Sequence, residues 1–96
     1  MKKYHTKELD ELFEAILALE TREECYLFFE DVCTIKELRD ISQRLKTAKM
    51  LAQGANYAEI GKVTGMSTAT ISRVSKCLEY GGGGYQTIID RLKEQD

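Results

Sequence analysis

The stretch Asn56-Tyr-Ala-Glu-Ile-Gly-Lys-Val-Thr-Gly-Met-Ser-Thr-Ala-Thr-Ile-Ser-Arg-Val74 decides the fold of this chain. Its spacing is typical of a helix-turn-helix, a motif that lays its short second helix in the DNA major groove. Gly61 is small enough to let two helices approach closely, and Gly65 suits the left-handed conformation that ends a helix. Ser67 can cap the helix that follows. The pattern therefore predicts a helix-turn-helix over residues 56–80.

The second helix of this motif has two different faces. Ile71 and Val74 are its predicted inward residues, whereas the outer side chains are small, hydrogen-bonding or cationic, as base edges and phosphates require. The alternative interpretation is a plain helix pair in a small all-α domain, which would show a similar apolar pattern. The candidate DNA-binding residues are Arg44, Lys62, Ser67, Thr68, Ala69, Thr70, Ser72, Arg73 and Lys76.

Charge is unevenly distributed along the chain, whose net charge is only −2. Residues 1–40 contain six Lys/Arg and eleven Asp/Glu, whereas residues 41–80 contain six Lys/Arg and two Asp/Glu. Phosphate neutralisation acts over a short range in salt, so a local basic surface matters more than the net charge. The basic surplus coincides with the motif and independently favours nucleic-acid binding.

Length and composition set further bounds. Ninety-six residues predict a single domain over 1–96, and an apolar content of 43% is lean for several short helices in a monomer. A homodimer would bury a shared apolar face and relieve that shortage. No apolar run approaches the ~18 residues of a membrane span, so we expect a soluble, cytoplasmic protein with no membrane association.

Metal binding and catalysis have little support in the sequence. The three cysteines, Cys25, Cys33 and Cys77, show no C-x-x-C spacing, and His5 is the single histidine. We expect buried free thiols rather than a metal site. No nucleophile–base pair can be proposed either, so the sequence predicts neither an enzyme nor a cofactor.

Capping signals divide the rest of the chain into helices. Thr21 with Glu24, and Thr34 with Glu37, form potential capping boxes, as Asn56 does with Glu59. Apolar residues recur at helical spacing, and no run alternates as a strand would. The sequence predicts an all-α fold of about six helices: a helical dimerisation part over 1–53, the helix-turn-helix over 56–80 and a C-terminal helix over 85–96.

The four glycines at 81–84 could suggest a phosphate-binding loop. Such loops, however, place glycines between a strand and a helix N-terminus, often followed by Lys-Ser/Thr. Here the run follows a helix and precedes Tyr85 and Gln86. We interpret it as a flexible hinge that allows the last helix to adopt different orientations.

Ala69-Thr70-Ile71-Ser72-Arg73, after a glycine turn and before Ser75 and Leu78, resembles the recognition helix of the Trp repressor family. The resemblance continues upstream, where Cys33-Thr34-x-x-Glu37 is similar to the opening of the family's third helix. Arg44 stands ten residues after Thr34 and ten before Gly54, as it does in the family. The resemblance runs from Thr34 to Leu78.

This resemblance implies an intertwined helical homodimer that places its two recognition helices in successive major grooves. It also implies an effector pocket formed by Thr34, Arg44 and Arg73, at the positions that hold the family's tryptophan ligand. Two further positions differ: Val74 replaces a glycine, and Cys77 replaces a serine that holds the amino group. Added bulk in a pocket costs ~1–3 kcal/mol, so free tryptophan is not the effector that we expect.

Taken together, the residues predict a sequence-specific DNA-binding transcriptional regulator, a repressor by its resemblance, that acts on double-stranded DNA. The alternative is a helical protein–protein interaction module that keeps the fold without specific DNA binding, and the acidic first third favours it. DNA binding should weaken steeply with salt, whereas a protein module would ignore competitor DNA.

Overall fold

Most helices of the chain begin after a residue whose side chain caps them. The computed structural model describes residues 5–95, and every regular element within that range is helical. The predicted all-α fold is therefore confirmed; the four residues that open the predicted 1–53 part, and Asp96 at the end of the predicted 85–96 helix, lie outside the described range. The helices are α1 (Lys7–Leu17), α2 (Arg22–Val32), α3 (Ile35–Ala52), α4 (Tyr57–Thr64), α5 (Thr68–Tyr80) and α6 (Gly84–Glu94).

The two predicted capping boxes in the first half of the chain differ in detail. At α3 both bonds form, because the Thr34 hydroxyl accepts from the Glu37 amide at 3.1 Å and the Glu37 carboxylate accepts from the Thr34 amide at 2.8 Å. At α2 the Thr21 hydroxyl accepts from the Glu24 amide at 3.1 Å. The Glu24 carboxylate, however, bonds the amide of Glu20, one residue before the cap, at 2.8 Å. In both cases the side chain satisfies backbone donors that a helix start leaves unpaired.

The helix-turn-helix has the caps that its sequence predicts. Asn56 and Glu59 form a reciprocal capping box at the start of α4. Gly65 ends α4 in the left-handed region, with φ of 74°, and its N–H donates to the carbonyl of Gly61 at 2.8 Å. The Ser67 hydroxyl accepts from the Thr70 amide at 3.2 Å and starts α5.

Contacts group the chain into two compact units that divide between Leu38 and Arg39. The N-terminal unit contains α1, α2 and the first turn of α3, and neither α1 nor α2 has a buried residue. The rings of Phe28 and Phe29 meet edge to face, 5.4 Å apart. Leu17 remains 84% exposed, and several other large apolar side chains of this unit are exposed in the single chain: Phe13, Tyr26, Leu27, Val32 and Ile35.

The C-terminal unit contains the core. Ala48 of α3, Val74 of α5 and Ile89 of α6 form a buried cluster, against which Leu51, Leu78 and Tyr85 pack. Ile60 and Ile71 are also fully buried, at 0% and 1% exposure. The predicted inward positions of α5, Ile71 and Val74, are therefore confirmed, and the buried face fixes which side of α5 is left for a partner.

Two sequence expectations need correction or refinement in the structure. Cys25 and Cys77 are exposed and Cys33 is half-buried, so the expectation of buried thiols is wrong for the first two; Cys25 belongs to a helix with no buried residue, and Cys77 borders an open cavity. At Gly61 an added methyl carbon would lie 3.6 Å from the Met66 carbonyl oxygen, an ordinary contact, so the approach of α4 and α5 tolerates more than glycine there.

Candidate nucleic-acid interface

The side of α5 opposite its buried residues carries the predicted contact residues. Thr68, Ala69, Arg73 and Lys76 are exposed, and Thr70 and Ser72 are half-buried. The face is small and polar near the N-terminus of α5 and cationic further along. Small side chains allow the helix axis to approach the edges of bases, and cations at the flanks can reach phosphates.

The hydroxyls of Ser67 and Thr70 already have partners within the protein. The two oxygens lie 3.0 Å apart, and Ser67 also accepts from the Thr70 amide. Each hydroxyl keeps a lone pair or its hydrogen for a further bond. Any contact of these two side chains with DNA would therefore use the orientation that the N-cap of α5 gives them.

Four exposed cations come from three helices of the C-terminal unit. Arg44 belongs to α3, Lys62 to the last turn of α4, and Arg73 and Lys76 to α5. Side chains of this kind neutralise phosphates beside a helix that enters a groove.

A cavity of about 250 Å³ lies beside α5. It brings together Arg44 and Arg73, two of the three predicted effector-pocket residues. The third, Thr34, belongs to the N-terminal unit, where its side chain caps α3. The cavity is lined by Arg44, Thr70, Arg73, Val74, Cys77 and Tyr85.

Tyr85 is a lining residue that sequence reasoning missed. It follows the glycine run, and nothing in the local sequence places it beside α5. Burial raises the pKa of its phenol first, and Cys77 raises it further, while Arg44 lowers it. The phenol is therefore neutral at physiological pH and can both donate and accept a hydrogen bond at this cavity.

A second cavity, of about 240 Å³, follows the turn between α4 and α5. Arg44 and Thr70 line both cavities. The remaining lining residues are Asp40, Gln43, Gly65 and Met66. The turn of the helix-turn-helix thus borders open space on the side of α3.

Two negative observations apply to the described part of the chain. Among residues 5–95, no group of three or more His, Cys, Asp or Glu is placed to hold a metal ion. None of the six helices is long and apolar enough to cross a membrane.

The chain resembles known proteins over almost its full length. The family model for the Trp repressor protein matches residues 7–93. The uncharacterised protein YerC of Bacillus subtilis is 52% identical over 94 residues, which span 98% of this chain and 90% of YerC. The crystal structure of a candidate Trp repressor from Staphylococcus aureus has a TM-score of 0.91 at 53% identity and covers 96% of this chain and 92% of its own. A TrpR-like protein from Eubacterium eligens has a TM-score of 0.93 at 48% identity and covers 97% and 96% of the two chains.

Proposed function

The chain belongs to the Trp repressor family, and on that premise we propose that it is a homodimeric, sequence-specific DNA-binding regulator of transcription, a repressor by family. The family is regulatory and non-enzymatic. The observation that carries the proposal is that the two sides of α5 differ in character. Ile71 and Val74 anchor one side in the core, and the opposite side is small and polar, then cationic.

Residues of α5 have different proposed roles according to their position. Thr68 and Ala69, exposed in the first turn, lie nearest the bases, where their methyl groups can contact thymine methyls. Thr70 and Ser72 adjust sequence preference, with Ser67 orienting Thr70. The proposed phosphate contacts, which give affinity without sequence information, are Arg44, Lys62, Arg73 and Lys76.

Homodimer formation is supported by the N-terminal unit. A stable monomer rarely leaves a contiguous set of large apolar side chains in water. Here α1 and α2 bury no residue, and Phe13, Leu17 and Leu27 are more than half exposed. A second copy would cover these side chains and place two recognition helices about one DNA turn apart.

An effector pocket is proposed at the cavity that contains Arg44 and Arg73. Its two guanidinium groups and the Tyr85 phenol favour an anionic or strongly polar small molecule. Free tryptophan is not the proposed ligand, because the Val74 side chain occupies a lining position and the Cys77 thiol is a poor partner for an amino group. Calorimetric titration with L-tryptophan should show no binding at micromolar concentration; micromolar affinity would overturn this assignment.

The alternative function is a protein–protein interaction module. The observation in its favour is that residues 1–40 carry eleven acidic residues together with the exposed apolar side chains of α1 and α2. Such a surface suits a basic partner protein. This module would bind its partner equally well in the presence of excess competitor DNA.

A fluorescence-anisotropy titration with duplex DNA of mixed sequence tests the proposed function. We expect binding whose log affinity falls linearly with log salt, with a slope that reflects the phosphates neutralised by each dimer. Binding that is absent at low salt, with and without added amino acids, would contradict the proposal and favour the interaction module.

A further inference from the structure

The turn between α4 and α5 is held from α3 by two side-chain hydrogen bonds. Gln43 Nε2 donates to the backbone carbonyl of Thr64 at 3.1 Å. Thr47 Oγ1 donates to the Sδ atom of Met66 at 3.0 Å. Gln43 and Thr47 are four residues apart on α3 and therefore face the same way. Their partners flank the turn residue Gly65, so the bonds grip the turn on both sides.

Thr64 links these two bonds within the turn itself. Its hydroxyl donates to the carbonyl of Ile60 at 2.7 Å and accepts from the amide of Met66 at 3.1 Å. One side chain thus bonds both a carbonyl in the last turn of α4 and the amide of the residue that follows Gly65. A leucine at this position, common in helix-turn-helix motifs, could form neither bond.

The two threonines that form these contacts are buried. Thr47 is fully buried and Thr64 is 8% exposed, and no buried side-chain nitrogen or oxygen of the described residues lacks a partner. Leaving a buried polar group without its partner is unfavourable, so displaced turns that break these bonds are disfavoured. The partners lie 21 and 19 residues apart in sequence, which makes this a tertiary constraint on the turn.

The constraint reaches the proposed recognition helix directly. Met66 is followed at once by Ser67, the cap of α5, and then by Thr68 and Ala69, the residues proposed to lie nearest the bases. A movement of the turn would therefore move the start of α5. A misplacement of about 1 Å is enough to spoil hydrogen-bond geometry at a base edge.

We propose that Gln43 and Thr47 are positioning residues for DNA recognition, which hold the turn through Thr64 and Met66 and so set the direction of α5. This inference rests on the proposed function. Neither residue contacts DNA in this proposal. Their effect is on sequence discrimination, whereas the exposed arginines and lysines determine affinity for any DNA.

Two pairs of variants separate positioning from a purely structural role. Thr47→Val keeps the shape of the side chain but removes the hydroxyl, and Thr47→Ser restores the hydroxyl. A thioether is a weak acceptor, so losing this bond should leave the protein folded. Gln43→Met keeps the length and removes the amide donor; Gln53→Met, at an exposed residue after α3, is its matched control.

The first readout is the ratio of affinities for a DNA site selected by the wild-type protein and for a scrambled duplex. We expect Thr47→Val and Gln43→Met to lower this ratio about tenfold while binding to the scrambled duplex is unchanged. Thr47→Ser and Gln53→Met should keep the wild-type ratio. Folded variants with an unchanged ratio would overturn the proposal.

The second readout follows the turn without DNA. The chain has three methionines, so a spectrum of the ¹³C-labelled methionine methyls has few signals, and Met66→Leu assigns that of Met66. Thr47→Val should shift this signal, and Thr47→Ser should not. A wild-type protein that selects no DNA would show that the proposed function is wrong. The spectrum tests the positioning role independently: an unmoved Met66 signal in Thr47→Val would overturn that role.

Discussion

At the scale of single residues, two sequence neighbours on α5 have different roles: one is exposed and the other packs in the core. Arg73 is exposed and Val74 is 4% exposed, one residue further along the helix. The side chain of Val74 packs against Ala48 and Ile89, whereas the side chain of Arg73 is exposed and can reach a phosphate. The consequence is that affinity and folding can be changed separately in this helix.

Arg73→Ala should weaken binding to all DNA sequences alike. Removing its guanidinium lowers the salt slope by about 0.9 for each phosphate that the protein no longer neutralises, while the preferred sequence stays the same. Anisotropy titrations at several salt concentrations measure the slope. Arg91→Ala, which removes the same charge from the last turn of α6, is the matched control and should leave the slope unchanged. An unaltered slope in Arg73→Ala would exclude the phosphate interaction.

Glu37 gives the protein a pH-dependent contribution at the start of α3. The Thr34 amide, and then the Thr34 side chain, hold the pKa of the Glu37 carboxyl below its ordinary value. The folded state therefore favours the carboxylate. The resulting stabilisation is present above the ordinary glutamate pKa of about 4.3 and is lost as the pH falls through the lowered value.

Denaturant unfolding of the wild-type protein and Glu37→Gln, at one fixed protein concentration, tests this prediction. The wild-type protein should be the more stable at neutral pH, and the difference should shrink as the pH falls below about 4.3. A difference that stays constant from neutral to acidic pH would show that the carboxylate charge contributes nothing to the cap.

At the scale of elements, most helix starts could be read from the sequence because caps are local. Thr6, Thr21, Asn56 and Ser67 each bond an amide three residues ahead, within reach of a sequence pattern. The side chains around the turn could not be read in this way. The bond from Thr47 to Met66 spans 19 residues and depends on how α3 packs. Tyr85 likewise reaches its cavity only because α6 packs in the core with α5.

The glycine run offers a test at the same scale. A methyl carbon at Gly81 would lie 2.4 Å from the Cys77 carbonyl oxygen, whereas one at Gly84 would meet nothing within 4 Å. Gly81→Ala should cost about 1–3 kcal/mol, because backbone must move. Gly84→Ala, at the first residue of α6, should be neutral or stabilise by about 0.4–1 kcal/mol.

Thermal unfolding of these two glycine variants distinguishes the positions. In a domain of this size each kcal/mol changes Tm by about 4–8 °C, which calorimetry resolves easily. Equal melting temperatures for Gly81→Ala and Gly84→Ala would mean that the close approach of Gly81 to Cys77 does not constrain the end of α5.

At the scale of the whole molecule, the two units differ in how much they bury. The C-terminal unit has a core of its own, whereas the helices α1 and α2 of the N-terminal unit contain no fully buried residue. The lean apolar content of the sequence indicated this shortage, but which side chains stay exposed follows only from the structure. Leu17, 84% exposed at the end of α1, is the most exposed of them.

Leu17→Asp should therefore convert the proposed dimer to monomer, because a charge in a shared apolar face has no partner there. Sedimentation equilibrium measures the mass directly. Glu11→Arg, which changes charge at an exposed position on another face of α1, should remain dimeric. A wild-type protein that sediments as a monomer of 10.9 kDa would contradict the dimer itself.

The central claim, that α5 reads DNA sequence in a two-fold dimer, is tested most directly by selection from a random duplex library. The wild-type protein is incubated with the library at two salt concentrations, and the bound pool is sequenced. We predict enrichment of a two-fold palindrome whose half-sites are about one helical turn apart, 10–10.5 base pairs from centre to centre. A bound pool with no enriched sequence, or no bound pool even at low salt, would contradict the claim.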